Sequence, residues 1–115
     1  VPYQTGQLDL VFRALADPSR RAIFEQLTRG EAAVKELTGK FAISQPAVSQ
    51  HLAVLREAKL VDLRHEGRSS FYRIDPRGFR PLVGWMAHYK AFWIDRVTQL
   101  QSLLEEIESE DRARP

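Results

Sequence analysis

The residues whose order carries the most chemistry are Ser44-Gln45-Pro46-Ala47-Val48-Ser49-Gln50-His51-Leu52. Gln45, Ser49 and Gln50 carry short groups that both donate and accept hydrogen bonds, and Pro46, Ala47 and Ala53 are small. At the exposed start of a helix, such side chains suit the floor of a DNA major groove. Amides and hydroxyls meet base edges there, an alanine methyl meets a thymine methyl, and small neighbours allow close approach. The alternative is an ordinary amphipathic helix with a solvated polar face. The stretch is helical on either reading. Ser44 is a good N-cap, Pro46 falls in the first turn where no intrahelical amide bond is lost, and Val48, Leu52 and Leu55 form one apolar stripe. His51 lies at the edge of that stripe, a place for helix packing or a phosphate neighbour rather than a metal ligand.

The flanking segments supply what must hold this helix. Leu8, Phe12 and Leu15 predict a short helix over 8–16. Asp17-Pro18 starts a second, with Asp17 as N-cap and Pro18 as its first residue, running to about Arg29 with Ile23, Phe24 and Leu27 inward and Gly30 at its end. A third helix is expected over 33–40, with Val34 and Leu37 inward. The few residues from there to Ser44 give the spacing of a helix-turn-helix. Beyond Leu60 the period changes to two: Val61 and Leu63, then Tyr72 and Ile74, alternate with polar or outward residues around a polar tip over 65–70. This reads as a β-hairpin. From Pro81 the chain returns to helix. Leu82, Met86, Tyr89, Trp93, Val97, Leu100, Leu104 and Ile107 are separated by threes and fours. One helix over 82–107 would be about 39 Å long at ~1.5 Å per residue. An apolar seam of that length needs a partner, and the simplest is a second copy of the chain. A frayed tail is expected over 108–115.

With 115 residues, 43% hydrophobic and 28% charged, the chain reads as one globular domain over 1–115, mainly α with a small β-hairpin. Residues 8–81 are expected to form the DNA-binding core. Residues 1–81 hold 13 Lys and Arg against 9 Asp and Glu, and residues 82–115 hold 4 against 6. A basic front and an acidic end suit a polyanion on one side only. With no Cys, disulfides, thiolate metal sites and Cys nucleophiles are all excluded. That composition fits a cytoplasmic protein. No apolar run approaches the roughly 18 residues that span a bilayer, so no membrane partner is expected. No nucleophile, base and orienting carboxylate fall in a recognisable arrangement, so no enzyme is expected.

Three motifs in order resemble the ArsR/SmtB family of bacterial transcriptional repressors. Leu15-Ala16-Asp17-Pro18-Ser19-Arg20-Arg21-Ala22-Ile23 is similar to the family's second-helix opening. Ser44 to Leu52 is similar to its recognition helix, and Leu55-Arg56-Glu57-Ala58-Lys59-Leu60-Val61 to the run into its wing, with Gly67-Arg68 and Tyr72-Arg73-Ile74 in the wing itself. The resemblance spans roughly 8–107. It implies a winged helix-turn-helix with a long C-terminal dimerisation helix, and a homodimer on a palindromic double-stranded operator. It also implies repression released by a small-molecule or protein inducer. The implied interface joins the first and terminal helices: Leu8 and Phe12 with Met86, Tyr89, Trp93, Val97, Leu100 and Leu104.

The sequence departs from the family's metal sensors. Their thiolate site needs Cys, and their terminal-helix site needs paired Asp/His and His/Glu ligands. Here that helix has His88 alone, with Asp95 seven positions on. No metal or other cofactor is expected. The aromatic segment Trp85, Tyr89, Phe92, Trp93 resembles a metal-free subgroup. It is a dimer seam or core by its spacing, with a ligand pocket as the alternative.

Within that frame Gln45, Ser49 and Gln50 are the expected base readers, with Ser44, Ala47 and His51 close to the DNA backbone. Arg64, Arg68 and Ser69 on the wing suit phosphates or a minor groove; the alternative is a solvated loop. Arg20 and Arg21 stand at a helix start, where cations oppose the dipole. A phosphate contact explains that, and so does a salt bridge from Arg21 to Glu25. A winged-helix module that binds protein rather than DNA is the competing function.

Overall fold

The computed structural model describes residues 5–114, with the side chains of Thr5 and Asp95 outside that description. The order is α1 (Thr5–Ala16), α2 (Pro18–Leu27), α3 (Val34–Phe41), α4 (Gln45–Glu57), β1 (Val61–Glu66), β2 (Ser69–Ile74), a 3-10 turn (Pro76–Phe79), α5 (Arg80–His88) and α6 (Lys90–Ala113). The first four helices enclose the core. Val11, Ile23, Leu37, Val48, Leu52 and Leu55 are all but fully buried. No polar side chain is buried whole among the described residues, so burial of apolar surface alone organises this part.

The helix starts are written locally. Asp17 Oδ1 accepts from the N–H of Arg20 at 3.0 Å, and Ser44 Oγ accepts from that of Ala47 at 3.2 Å. Pro18 and Pro46 sit in the first turns of α2 and α4. The α3 to α4 turn closes at Ala42, which takes a left-handed φ of 53° in place of the usual glycine.

The hairpin pairs in register from Val61 with Ile74 to Glu66 with Ser69. Its tip is therefore only Gly67-Arg68, shorter than the polar segment suggested. Gly67 alone there has a positive φ, 59°, the type II′ pattern whose twist matches the strands. Ala32 adds a bridge to Tyr72, with N–H to O distances of 3.0 and 2.8 Å. The wing is thereby tied to the entrance of α3. Gly78 is buried against the backbone of Lys59 and Leu60, where any β-carbon would overlap the Lys59 carbonyl.

Four expectations about helices change. The first helix is already formed at Thr5, the first described residue, and its buried face is Leu8, Val11 and Ala14; Phe12 is 45% exposed and meets Trp85 edge-on at 5.8 Å. Leu8 is buried within its own chain, so it has little surface left for a partner. The expected single helix over 82–107 is two, broken at Tyr89 (φ −103°, ψ 29°). The N–H of Tyr89 bonds back to Met86, and that of Trp93 resumes the ladder at Tyr89. Apolar spacing alone cannot show such a break, because threes and fours recur on both sides of it. Finally, the tail is helical to Ala113, since Glu, Arg and Ala are strong helix formers; Pro115 lies outside the described residues.

Candidate nucleic-acid interface

The first turns of α4 leave Ser44, Gln45, Ser49 and Gln50 exposed and Ala47 half-buried, while Val48, Leu52 and Leu55 lock the opposite face into the core. This outward face is thus polar, small and rigidly backed. Its geometry hangs on the Ser44 cap. Ser44→Ala is expected to lower stability by about 1 kcal/mol, measured by denaturant unfolding. Ser44→Asp should restore the cap yet weaken DNA binding, because it sets a carboxylate against phosphates.

His51 is half-buried beneath this face, and its Nδ1 is enclosed with no hydrogen-bond partner among the described residues. It lies near Asp17. The Arg20 amide holds that carboxyl below the usual range, and the charges of Arg20 and His51 add to the effect. His51 therefore stands between α4 and the α2 cap, behind the outward row.

On the wing, Gly67, Arg68, Ser69 and Ser70 are exposed. No carboxylate pairs with Arg68 among the described residues, and Ser70 Oγ meets His65 Nδ1 at 2.9 Å. Arg64 is different. Its Nε donates to Glu31 at 2.8 Å, a second nitrogen also bonds Glu31, and Nη1 donates to Glu66 at 3.0 Å. Its guanidinium lies 4.9 Å from the Phe71 ring centre. The pairing lowers the pKa of Glu31 and raises that of Arg64. Arg64 fastens the wing to the α2–α3 loop.

Arg20 and Arg21 also have partners that the sequence did not suggest. Arg20 Nε donates to the carbonyl of Ala14 at 2.7 Å and Nη2 to that of Arg13 at 3.0 Å; Arg21 Nη1 donates to that of Leu15 at 2.8 Å. Both cap the last turn of α1, where free carbonyls and the dipole favour cations. The expected Arg21–Glu25 bridge is not among the described ion pairs. The available signal was two arginines just past a helix end.

The aromatic segment is a chain of edge contacts: Trp85 with Tyr89 at 5.6 Å, Tyr89 with His88 at 5.0 Å, and Phe92 with Trp93 at 5.0 Å. Along α6, Val97, Leu100, Leu104 and Ile107 are each 43–55% exposed. Among the described residues no three His, Asp or Glu side chains are grouped to hold a metal, and the Asp95 carboxylate lies outside them. Among the described residues, no helix is long and apolar enough to cross a membrane.

A four-helix core whose last two helices form a helix-turn-helix with an exposed polar second helix, and a hairpin fixed beside it, define a winged helix-turn-helix. Residues 15–64 match the family described as a helix-turn-helix domain. The chain is 41% identical to the HTH-type transcriptional regulator Rv2034 of Mycobacterium tuberculosis over 84% of its own length and 88% of the relative's. It is similar to the crystal structure of an ArsR family transcriptional regulator, with a TM-score of 0.70, 31% identity, and 84% and 99% of the two chains covered. It is also similar to the homodimeric winged helix-turn-helix DNA-binding domain Mb0332 of Mycobacterium bovis, a possible ArsR-family regulator. There the TM-score is 0.60 and the identity 31%, with 73% and 81% covered. The chain belongs to the ArsR family of helix-turn-helix transcriptional regulators, which are DNA-binding proteins and not enzymes.

Proposed function

We propose that this protein is a homodimeric repressor that reads a palindromic operator through α4, steadies itself through the wing tip, and needs no metal. One observation carries the reading. The chain presents a solvated polar recognition helix on a rigid core and, on α6, an apolar heptad seam that its own fold leaves uncovered. Gln45, Ser49 and Gln50 face the bases, Ala47 packs close to them, and Ser44, Ser69 and Arg68 meet the backbone. His51 acts as a packing residue that sets the angle of α4. Arg64 anchors the wing, and Arg20 and Arg21 brace α1 against α2. The dimer joins Phe12, Met86, Tyr89, Trp93, Val97, Leu100 and Leu104 to their counterparts. Repression follows from occupancy of the operator in the cytoplasm, and a small-molecule or protein signal relieves it.

The test is selection of bound sequences from a random duplex pool, followed by a salt titration on the winner. A two-fold symmetric consensus with half-sites about one helical turn apart is expected. A steep fall of log K with log salt should accompany it. An affinity insensitive to salt would favour the protein-binding module instead. Metal independence has its own check. Chelator treatment should leave operator affinity within about two-fold, because no Cys is present and only three His are available. One tightly held zinc per chain in tag-free protein, with affinity lost on its removal, would contradict the proposal.

A further inference from the structure

We propose that the cleft at the base of the hairpin is a binding site for a small polyanion, a ligand carrying two or more carboxylate or phosphate groups. The cleft has a volume of about 690 Å³, within the range of small-molecule sites. It lies where the C-terminal end of α4, the start of β1, the 3-10 turn and α5 meet, with Gln7 of α1 at its edge.

Its charge is uneven. Both acids on its walls are already neutralised: Arg73 Nε donates to Asp62 at 2.9 Å, and Arg77 donates twice to Asp75 at 3.0 Å. Arg56, Lys59 and Arg80 remain, exposed and without a carboxylate partner among the described residues. The charge that the cleft presents to a ligand is therefore positive.

Two of the three also stand where the local backbone disfavours them. Lys59 has a φ of 62°, the left-handed position after a helix that glycine occupies without cost. Arg80 is the first residue of α5, where the dipole repels a cation. Breaches of local rules gather at functional sites. Here both breaches deliver positive charge to the same cleft. Gly78 completes the floor, since only a hydrogen fits beneath the Lys59 carbonyl.

The cleft lies at the far end of α4 and of the hairpin from the proposed DNA contacts. α4 has 13 residues, so its far end is about 18 Å from Gln45, and the hairpin base is the end opposite Gly67-Arg68. In so open a site one charge pair is screened by solvent and salt. A ligand must therefore engage at least two of the three cations at once, which selects a polyanion over a monoanion. The site touches both the reading helix and the helices that lead to α6, so its occupancy can bias how they sit. It stands on the cleft's own geometry, and its test uses no DNA.

The experiment is a two-dimensional NMR titration of the full chain with citrate and, separately, with pyrophosphate, at ionic strength held constant by sodium chloride. Saturable shifts are expected at the backbone amides of Lys59, Gly78, Arg80 and Gly84. Lys59→Gly, which also relieves the backbone and so should fold, is expected to weaken binding at least ten-fold. Arg80→Gln should do the same, and Arg68→Gln should leave binding unchanged. Saturation by citrate alone identifies a carboxylate ligand, and by pyrophosphate alone a phosphoryl one. Shifts that never saturate, that survive Lys59→Gly, or that centre on Gln45, Gln50 and Arg68 would overturn the site. So would binding seen only after Glu105, Glu106, Glu108 and Glu110 are changed to Gln, because the acidic end of α6 from another copy would then be the occupant.

Discussion

Replacing Trp93 and Leu100 together by Glu is expected to give a folded monomer with far weaker operator affinity, down by ~10²–10⁴-fold. The size follows from linkage. A dimer on a palindrome binds its second half-site at high effective concentration, and a monomer forfeits that gain although its hold on the first half-site is unchanged. The proposed dimer rests on this seam. Trp93, Val97, Leu100, Leu104 and Ile107 repeat at intervals of four and three, the spacing that keeps one face of a helix toward a partner. α6 spans 24 residues, about 36 Å, and packs on little of its own chain. The radius of gyration is 17.5 Å, against about 13 Å for a compact chain of this length, as a helix projecting from the body requires. Ser102→Glu, on the face opposite the seam, should leave the dimer intact. Sedimentation gives the answer directly. Wild-type protein that stays a monomer at micromolar concentration, or a double variant that stays a dimer, would remove the basis for the seam.

The core helices and wing were legible because their signals are local. Asp17-Pro18 and Ser44 with Pro46 mark helix starts by chemistry that acts within four residues, and the change of period after Leu60 marks the hairpin without reference to anything else. What stayed hidden depends on residues far apart in sequence. Arg64 meets Glu31 across 33 positions, so a pattern along β1 shows a free cation where the fold has a clasped one. Arg20 and Arg21 were visible as cations at the start of α2, but their partners are the carbonyls ending α1. The face of Phe12 was equally open. Leu8, Phe12 and Leu15 and Leu8, Val11 and Ala14 both fit one helical stripe, and the packing of α1 against the α2 and α4 core decides between them. The candidate site divides along the same line. The outward row of α4 followed from the stripe behind it, whereas the set of free wing cations could be narrowed to Arg68 only once the ion pairs were known.

That narrowing sharpens a last expected result, which separates reading from holding. Gln50 stands on the exposed face of α4 within its first two turns, and a Gln amide can bond an adenine edge with two hydrogen bonds. Gln50→Ala should weaken the selected operator by ~1–3 kcal/mol and relax preference at one base pair in each half-site, with little effect on random duplex. Arg68 sits at a two-residue tip with no carboxylate partner among the described residues, where phosphate or the minor groove is the surface in reach. Arg68→Ala should weaken all duplexes by similar factors and reduce the salt slope by about one unit for each phosphate that the arginine had neutralised. Arg64→Ala serves as the third arm. If Arg64 anchors the wing, its removal should cost stability as well as affinity, because Glu31 and Glu66 are left facing each other without their shared cation. A competition assay with operator and random DNA on the three variants reads every arm. Should Arg68→Ala erase sequence preference while Gln50→Ala preserves it, the wing is the reader and α4 only docks.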